Sequence, residues 1–334
     1  MALMTLNGSD ELERFYKNKF YFSYSSINKL LFSPRMFYTH YVLNQREDST
    51  DAHLVAGRVL HCLLLEPEKF DEQFLVMGIK TPGGNNKTIV DNIFKYHLTL
   101  GNNTLSLSDY SQDILTHLLQ INLHQSLKTD QQRLDKILVA ENIVYFEFLK
   151  ASLDKTVVDQ ETLDGCKASL EVLKLNSAVR ALLQLDKTDE DDHVEVYNEL
   201  QLQVDVDGLP FGYKGFLDNL VIDHDSKNIF INDLKTLGKS IQDFPDSVEY
   251  YRYWIQAVIY MKMVKEKFKL EGYEYHITFI VIDKYNQVYP YQVSSDTLVK
   301  WNEMFNDVVT KVKWHYENKQ YELPYELALG NVKL

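Results

Sequence analysis

Cysteine is nearly absent. Only Cys62 and Cys166 occur in 334 residues, and neither belongs to a Cys-x-x-Cys pair. One chain therefore cannot build a cysteine-only zinc site or an iron–sulfur cluster, and so few thiols suit a reducing compartment. No apolar run approaches the roughly 20 residues that cross a bilayer as a helix. The opening MALMTLNGSDELERF is too polar and acidic for a signal peptide. The expected location is the cytoplasm, away from membranes. Net positive charge is also missing: 35 Lys and Arg face 48 Asp and Glu, a formal balance of −13. That is the reverse of the usual footprint of a nucleic-acid binder. A polyanionic partner would need a local basic groove, or acidic groups neutralised by bound cations. Internal repeats and low-complexity tracts are absent too, which excludes a repeat architecture.

What is present is an ordinary globular composition, 45% hydrophobic and 25% charged, long enough for one large domain or two modest ones. Residues 1–20 read as a polar, mobile lead-in. Helical signals follow over 25–33 and 36–43, then a polar loop over 44–52 and a strong helix over 53–65. Glycine and asparagine clusters mark 78–104 as loop-rich, and residues 108–185 have helical periodicity throughout. The acidic run 186–192 reads as a solvated loop. Then the period changes from helical to two. Polar and apolar residues alternate strictly over 199–206, Asp207-Gly208 marks a hairpin turn, and strands follow over 211–222 and 229–235. A long helix over 247–268, strands over 275–282 and 288–293 and a helix over 295–318 complete the chain. The expected fold is α/β, a central mixed sheet flanked by helices, with the mainly helical stretch 78–185 inserted into one domain.

The strand segment carries the chemistry. Metal-assisted hydrolysis of a phosphodiester needs hard oxygen ligands for a divalent ion and a cation near the attacked phosphorus. Asp218 ends the second strand. Asp233 and Lys235 stand two apart on the third, hence on one face, with Leu234 on the other. Asp-x-Lys alone is a weak pattern, and on a strand it is usually a solvated charge pair. Here it follows the apolar run Ile229-Phe230-Ile231, which suggests an interior strand, where buried charges need partners. Glu199, at the head of the first strand, offers a further carboxylate. Gln256 and Tyr260 lie four apart on the long helix and share a face. His61 sits in an apolar helix, where a histidine is more often a hydrogen-bonded core residue than a ligand.

In order, Gly57-Arg58-Val59-Leu60-His61, Glu199, Asp218, Asp233-Leu234-Lys235 and Gln256-Ala257-Val258-Ile259-Tyr260 resemble the PD-(D/E)XK nucleases of the RecB, RecE and lambda-exonuclease kind. The RecE-like exonuclease domain of phages and prophages is the nearest in pattern, over 22–75 and 195–320. No single motif is specific, but five in sequence are. The resemblance implies a restriction-endonuclease-like core in a single domain over 1–334, with an N-terminal helical part over 22–75 and a catalytic sheet core over 195–320. It implies Mg²⁺ or Mn²⁺ held by Asp218, Asp233 and the Leu234 carbonyl, with His61 and Glu199 at accessory ligand positions. Lys235 would orient or activate the attacking water, and Gln256 and Tyr260 would contact the site and the DNA. The second acid is Asp rather than Glu, which the superfamily tolerates. The implied activity is an exonuclease on linear duplex ends, in the cytoplasm of a bacterial host, alongside a single-strand annealing protein and as a homo-oligomer. The alternatives are a structure-specific or restriction-type endonuclease of the same fold, and an inactive copy kept for DNA binding or assembly.

Overall fold

The computed structural model describes residues 5–46, 51–102 and 104–330, with side chains from residue 11 onward. It divides into two compact units, Met1–Glu66 with Lys167–Leu334, and Pro67–Cys166. The lead-in is not the mobile segment expected from its polarity. It forms helix α1 (Thr5–Lys17), because Leu12, Phe15 and Tyr16 recur at helical spacing and pack on the main core. A two-residue strand β1 (Tyr21–Phe22) precedes α2 (Tyr24–Phe32), which starts in a capping box between Ser23 and Ser26. Ser33 caps α3 (Pro34–Phe37), with Pro34 in the first turn, where a missing N–H costs nothing. After a π-helical turn over Tyr38–Val42 comes α4 (Ala52–Leu65). Residues 47–50 of the expected polar loop lie outside the described residues.

The second unit holds α5 (Phe70–Gln73), β2 (Phe74–Met77), α6 (Gly84–Thr99), α7 (Ser111–Gln120), α8 (Asp130–Ile137), α9 (Ala140–Ala151) and β3 (Thr156–Asp159). The loop expected over 78–104 is corrected by α6. Its glycines only start the helix, and the stripe Ile89, Val90, Ile93, Phe94 and His97 is buried. This stripe packs on Ile114, Leu118, Tyr145 and Phe146. β3, four residues with two adjacent valines, interrupts the expected helical run and pairs in parallel with β2. The helix α10 (Gln160–Leu175) begins in this unit and ends in the first.

The first unit resumes with α11 (Ser177–Leu183), β4 (Val194–Val204), β5 (Gly212–Asp223), β6 (Asn228–Leu237), α12 (Phe244–Tyr250), α13 (Tyr253–Phe268), β7 (Glu274–Asp283), β8 (Val288–Gln292), α14 (Ser295–Asn318) and α15 (Tyr325–Ala328). The six-stranded sheet is mixed. β4, β5 and β6 form an antiparallel meander, β6 and β7 run parallel across the α12–α13 crossover, and β8 returns antiparallel. One face carries α2, α13 and α14. There Ile255, Val258, Ile259 and Phe305 pack on Leu217, Ile231 and Phe279. The other face carries α4, α11 and the end of α10, where Leu60, Leu64, Leu173 and Leu183 meet Leu234, Ile280 and Ile282. Each fully buried side chain of this kind contributes roughly 1.5–3 kcal/mol over leaving it exposed. The fold is thus mixed α/β, with a central mixed sheet between helical layers. Among the described residues no helix is long and apolar enough to cross a membrane.

Candidate metal centre

Two irregularities in the sheet build the site. The first lies between β4 and β5. Asn198 pairs with Asn219 and Leu200 with Leu217, so Glu199 stands opposite Asp218 at an interrupted step of the ladder. Glu199 has φ +46°, inside a strand, where a non-glycine residue with positive φ is rare and strained. Across this step the core-facing side of β4 changes from Tyr197 to Leu200 and Leu202, and that of β5 from Leu217 to Leu220. The strict alternation expected from residue 199 is therefore only half the strand, which begins at Val194.

The second irregularity is a parting of strands. β5 and β6 pair from Asp223 with Asn228 as far as Asn219 with Asn232, and there the pairing stops. β6 keeps its other edge on β7 as far as Leu237. The Leu234 N–H released by this parting donates to Asp218 Oδ2 at 2.7 Å, so the carboxylate bridges the gap. Behind the gap runs a polar row. Asn198 Nδ2 donates to the Leu65 carbonyl (3.0 Å), Asn219 Nδ2 to Asn198 Oδ1 (2.9 Å), and Asn232 Nδ2 to Asn219 Oδ1 (2.8 Å) and the Leu182 carbonyl (2.9 Å). Each asparagine is the chain neighbour of an acid: Glu199, Asp218 or Asp233. The row thus fixes three strands and two helix ends where the acids project.

α4 brings in His61. A Cβ on Gly57, one turn earlier, would lie 3.3 Å from Thr236 Oγ1, so glycine lets α4 close on β6. His61 Nε2 then meets the Leu234 carbonyl at 3.0 Å, and since a carbonyl only accepts, Nε2 carries the proton. Nδ1 is left facing Glu199 Oε1 and Asp218 Oδ2, each at 3.6 Å. One ligand atom from each of the three residues lies within 4.8 Å of the others. Glu199 Oε1 is buried without a hydrogen-bond partner, which is costly unless something cationic meets it. Burial opposes charge on His61, but Asp218 and Glu199 outweigh it and raise the imidazole to about 9. Burial raises Asp218 as well.

Asp233 and Lys235 project on the α13 side of β6. Lys235 Nζ lies 2.6 Å from Asp233 Oδ2, donates to Gln256 Oε1 at 3.1 Å and sits 4.7 Å from the centre of the Tyr253 ring. Gln256 Nε2 is within hydrogen-bond reach of both Asp233 Oδ1 (2.7 Å) and the Tyr260 hydroxyl (2.9 Å). Gly215 makes room for Tyr260, whose ring would be 3.0 Å from an added Cβ. Burial and the neighbouring Asp218 push Asp233 up to about 6 against the pull of Lys235. Burial opposes the charge on Lys235, yet Asp233 and Asp218 raise its pKa.

The structure therefore brings together His61, Glu199, Asp218, Asp233, Leu234, Lys235, Gln256 and Tyr260. With His61 neutral and the acids ionised, the cluster carries three carboxylates and one ammonium, a charge that one divalent cation balances. The donor set of carboxylates and an imidazole, with an orphaned buried oxygen, fits such an ion. Tyr253, the asparagine row and the contact of Gly57 with Thr236 were not picked out from the sequence. The one available signal was the adjacency Asn198-Glu199, Asp218-Asn219 and Asn232-Asp233.

No protein-family model matches the chain, and no curated protein matches it significantly. Among solved structures it is similar to a "Putative exonuclease" from Eubacterium rectale, at 12% identity, over 100% of this chain and 95% of that one, with a TM-score of 0.46. It is also similar to the structure of SSO0001, at 16% identity, over 43% of this chain and 65% of that one, with a TM-score of 0.21.

Proposed function

We propose that this chain is a Mg²⁺- or Mn²⁺-dependent deoxyribonuclease that hydrolyses phosphodiester bonds from the ends of linear duplex DNA. The observation that carries the proposal is the buried Glu199 Oε1, which has no hydrogen bond, facing His61 and Asp218 beside the buried ammonium of Lys235. His61, Glu199, Asp218, Asp233 and the Leu234 carbonyl would hold the ion. Bound there, the ion would polarise a phosphate oxygen and lower the pKa of a coordinated water. Lys235 serves as the positioned cation for charge developing at phosphorus, and orients the attacking water. Gln256 holds both partners of the Lys235–Asp233 pair, so the ammonium is fixed before substrate arrives. Asp218 has two duties, as a ligand and as the acceptor that keeps Leu234 in place.

End dependence, a RecE-like role in phage recombination and an annealing partner are what the family resemblance implies, and they belong to the same proposal. Digestion of end-labelled linear duplex against supercoiled circle in Mg²⁺ tests it. The linear substrate should lose its label progressively while the circle stays closed. Nicking or linearisation of the circle would replace the exonuclease with an endonuclease on the same site.

A further inference from the structure

The helix expected over 247–268 is broken, and the break turns a row of tyrosines outward from Lys235. Arg252, between α12 and α13, takes a left-handed conformation (φ 55°, ψ 44°), uncommon for a residue with a Cβ. Three side-chain contacts hold the break. The Tyr24 hydroxyl and Asn28 Nδ2 both donate to the Tyr251 carbonyl, at 2.5 and 3.2 Å, and Arg252 Nη1 donates to Asn28 Oδ1 at 2.7 Å. The rings are in series. Tyr253 lies over Lys235 Nζ, Tyr251 stacks on Tyr253 (5.5 Å, 27°), and Tyr250 meets Tyr251 edge to face (4.9 Å, 89°). Exposure grows along the row, from half-buried Tyr253 to 46% at Tyr251 and 80% at Tyr250. At its inner end Phe244 stacks on Tyr253 and anchors the row in the core.

This row starts at the proposed catalytic lysine and ends in solvent. Of the cations beside it, Lys235 is paired with Asp233 and Arg252 is tied to Asn28. A chain of formal charge −13 has little electrostatic attraction for a polyanion, whereas aromatic rings hold nucleic acid by its bases. Within a duplex paired bases stack on one another, so bases unpaired at an end are the ones free to enter a row of rings.

On the basis of the nuclease function proposed above, we propose that Tyr250 and Tyr251 form a stacking platform for unpaired bases of a single DNA strand, which leads the strand to Lys235. The enzyme therefore grips a frayed or overhanging end, and its grip depends weakly on salt.

The test is fluorescence anisotropy of a labelled single-stranded oligonucleotide with the full chain, in Ca²⁺ across a salt series. Tyr250→Ala and Tyr251→Ala should each weaken binding roughly 5- to 150-fold, the range for losing one base–ring stack. The slope of log affinity against log salt should stay unchanged. Tyr250→Phe should bind like the unaltered protein, and melting temperatures should match. Hydrolysis of methyl p-nitrophenyl phosphate, which has no base to reach the outer rings, should be equal in all of them. If the unaltered chain does not bind the oligonucleotide, or the alanine variants bind it as well as the original, the platform is wrong. The second result would also be expected if these rings receive a protein. Failure of the small ester to react in any variant would instead contradict the nuclease function and leave the binding result to stand by itself.

Discussion

Glu199 shows at the residue scale what the proposed function costs the fold. It combines positive φ, a buried oxygen without a hydrogen bond and a carboxylate opposite Asp218. The positive φ is strained in either state, whereas the buried oxygen and the facing carboxylates oppose folding unless a cation meets them. Glu199→Gln should therefore raise the melting temperature of the metal-free protein by a few degrees. It should also remove most of the further rise that Mg²⁺ gives the original. A melt of both proteins with and without Mg²⁺ checks this, and a lower melting temperature for the metal-free variant would contradict it. Lys235→Ala should reduce cleavage by at least about 10²-fold, with a lower melting temperature because Asp233 is left buried without its ion pair. A rate assay beside a melt separates the two effects. The pairing of Asp233 with Lys235 was legible from period two alone. His61 was legible only through the resemblance, because the meaning of a histidine on an apolar helix depends on how close that helix comes to the sheet.

The closeness belongs to the element scale. Gly57→Ala should push α4 away from Thr236 and move His61 with it. Alanine favours an exposed helix by up to about 1 kcal/mol over glycine, so stability should change little while Mg²⁺ affinity falls roughly 10-fold or more. Adding Thr236→Ala, which removes the opposing Oγ1, should restore much of the affinity. Titration calorimetry of the single and double variants measures this coupling, and strict additivity would contradict it. Asn219→Leu tests the asparagine row. It removes the central link between Asn198 and Asn232 and leaves both short of a partner. It should destabilise by about 1–3 kcal/mol and weaken the metal site with it, as a denaturant titration and calorimetry would show. The meander of β4, β5 and β6 and the Asp207-Gly208 turn were readable from alternation and turn chemistry. The switch of faces at Glu199 and the break at Arg252 were not, because neither has a glycine or proline to announce it. Long-range contacts impose both. The α6 helix was missed for the opposite reason: its Gly-Asn-Asn cluster sits only in its first turn.

The whole molecule carries these charges as a pH dependence. His61 is raised from 6.5 to about 9, so its stabilising contribution is complete below pH 6.5 and disappears as pH rises to about 9. Asp233 is raised from 3.8 to about 6, so the folded state holds that proton more tightly and loses stability as pH climbs through the same interval. The metal-free protein should melt at progressively lower temperature from about pH 4 to pH 9, and the rise given by Mg²⁺ should grow over that range. A flat profile would place the protons elsewhere. Of the formal balance of −13, the cluster accounts for three carboxylates and one ammonium. None of the residues of the proposed site falls within the second unit, Pro67–Cys166. The proposed reaction is metal-dependent hydrolysis of DNA at the His61, Glu199, Asp218, Asp233 and Lys235 cluster. Release of acid-soluble nucleotides from linear duplex DNA, with Mg²⁺ or EDTA and with the original chain or Lys235→Ala, tests it most directly. Release should occur only for the original chain in Mg²⁺. Equal release in EDTA, or by Lys235→Ala, would contradict the account.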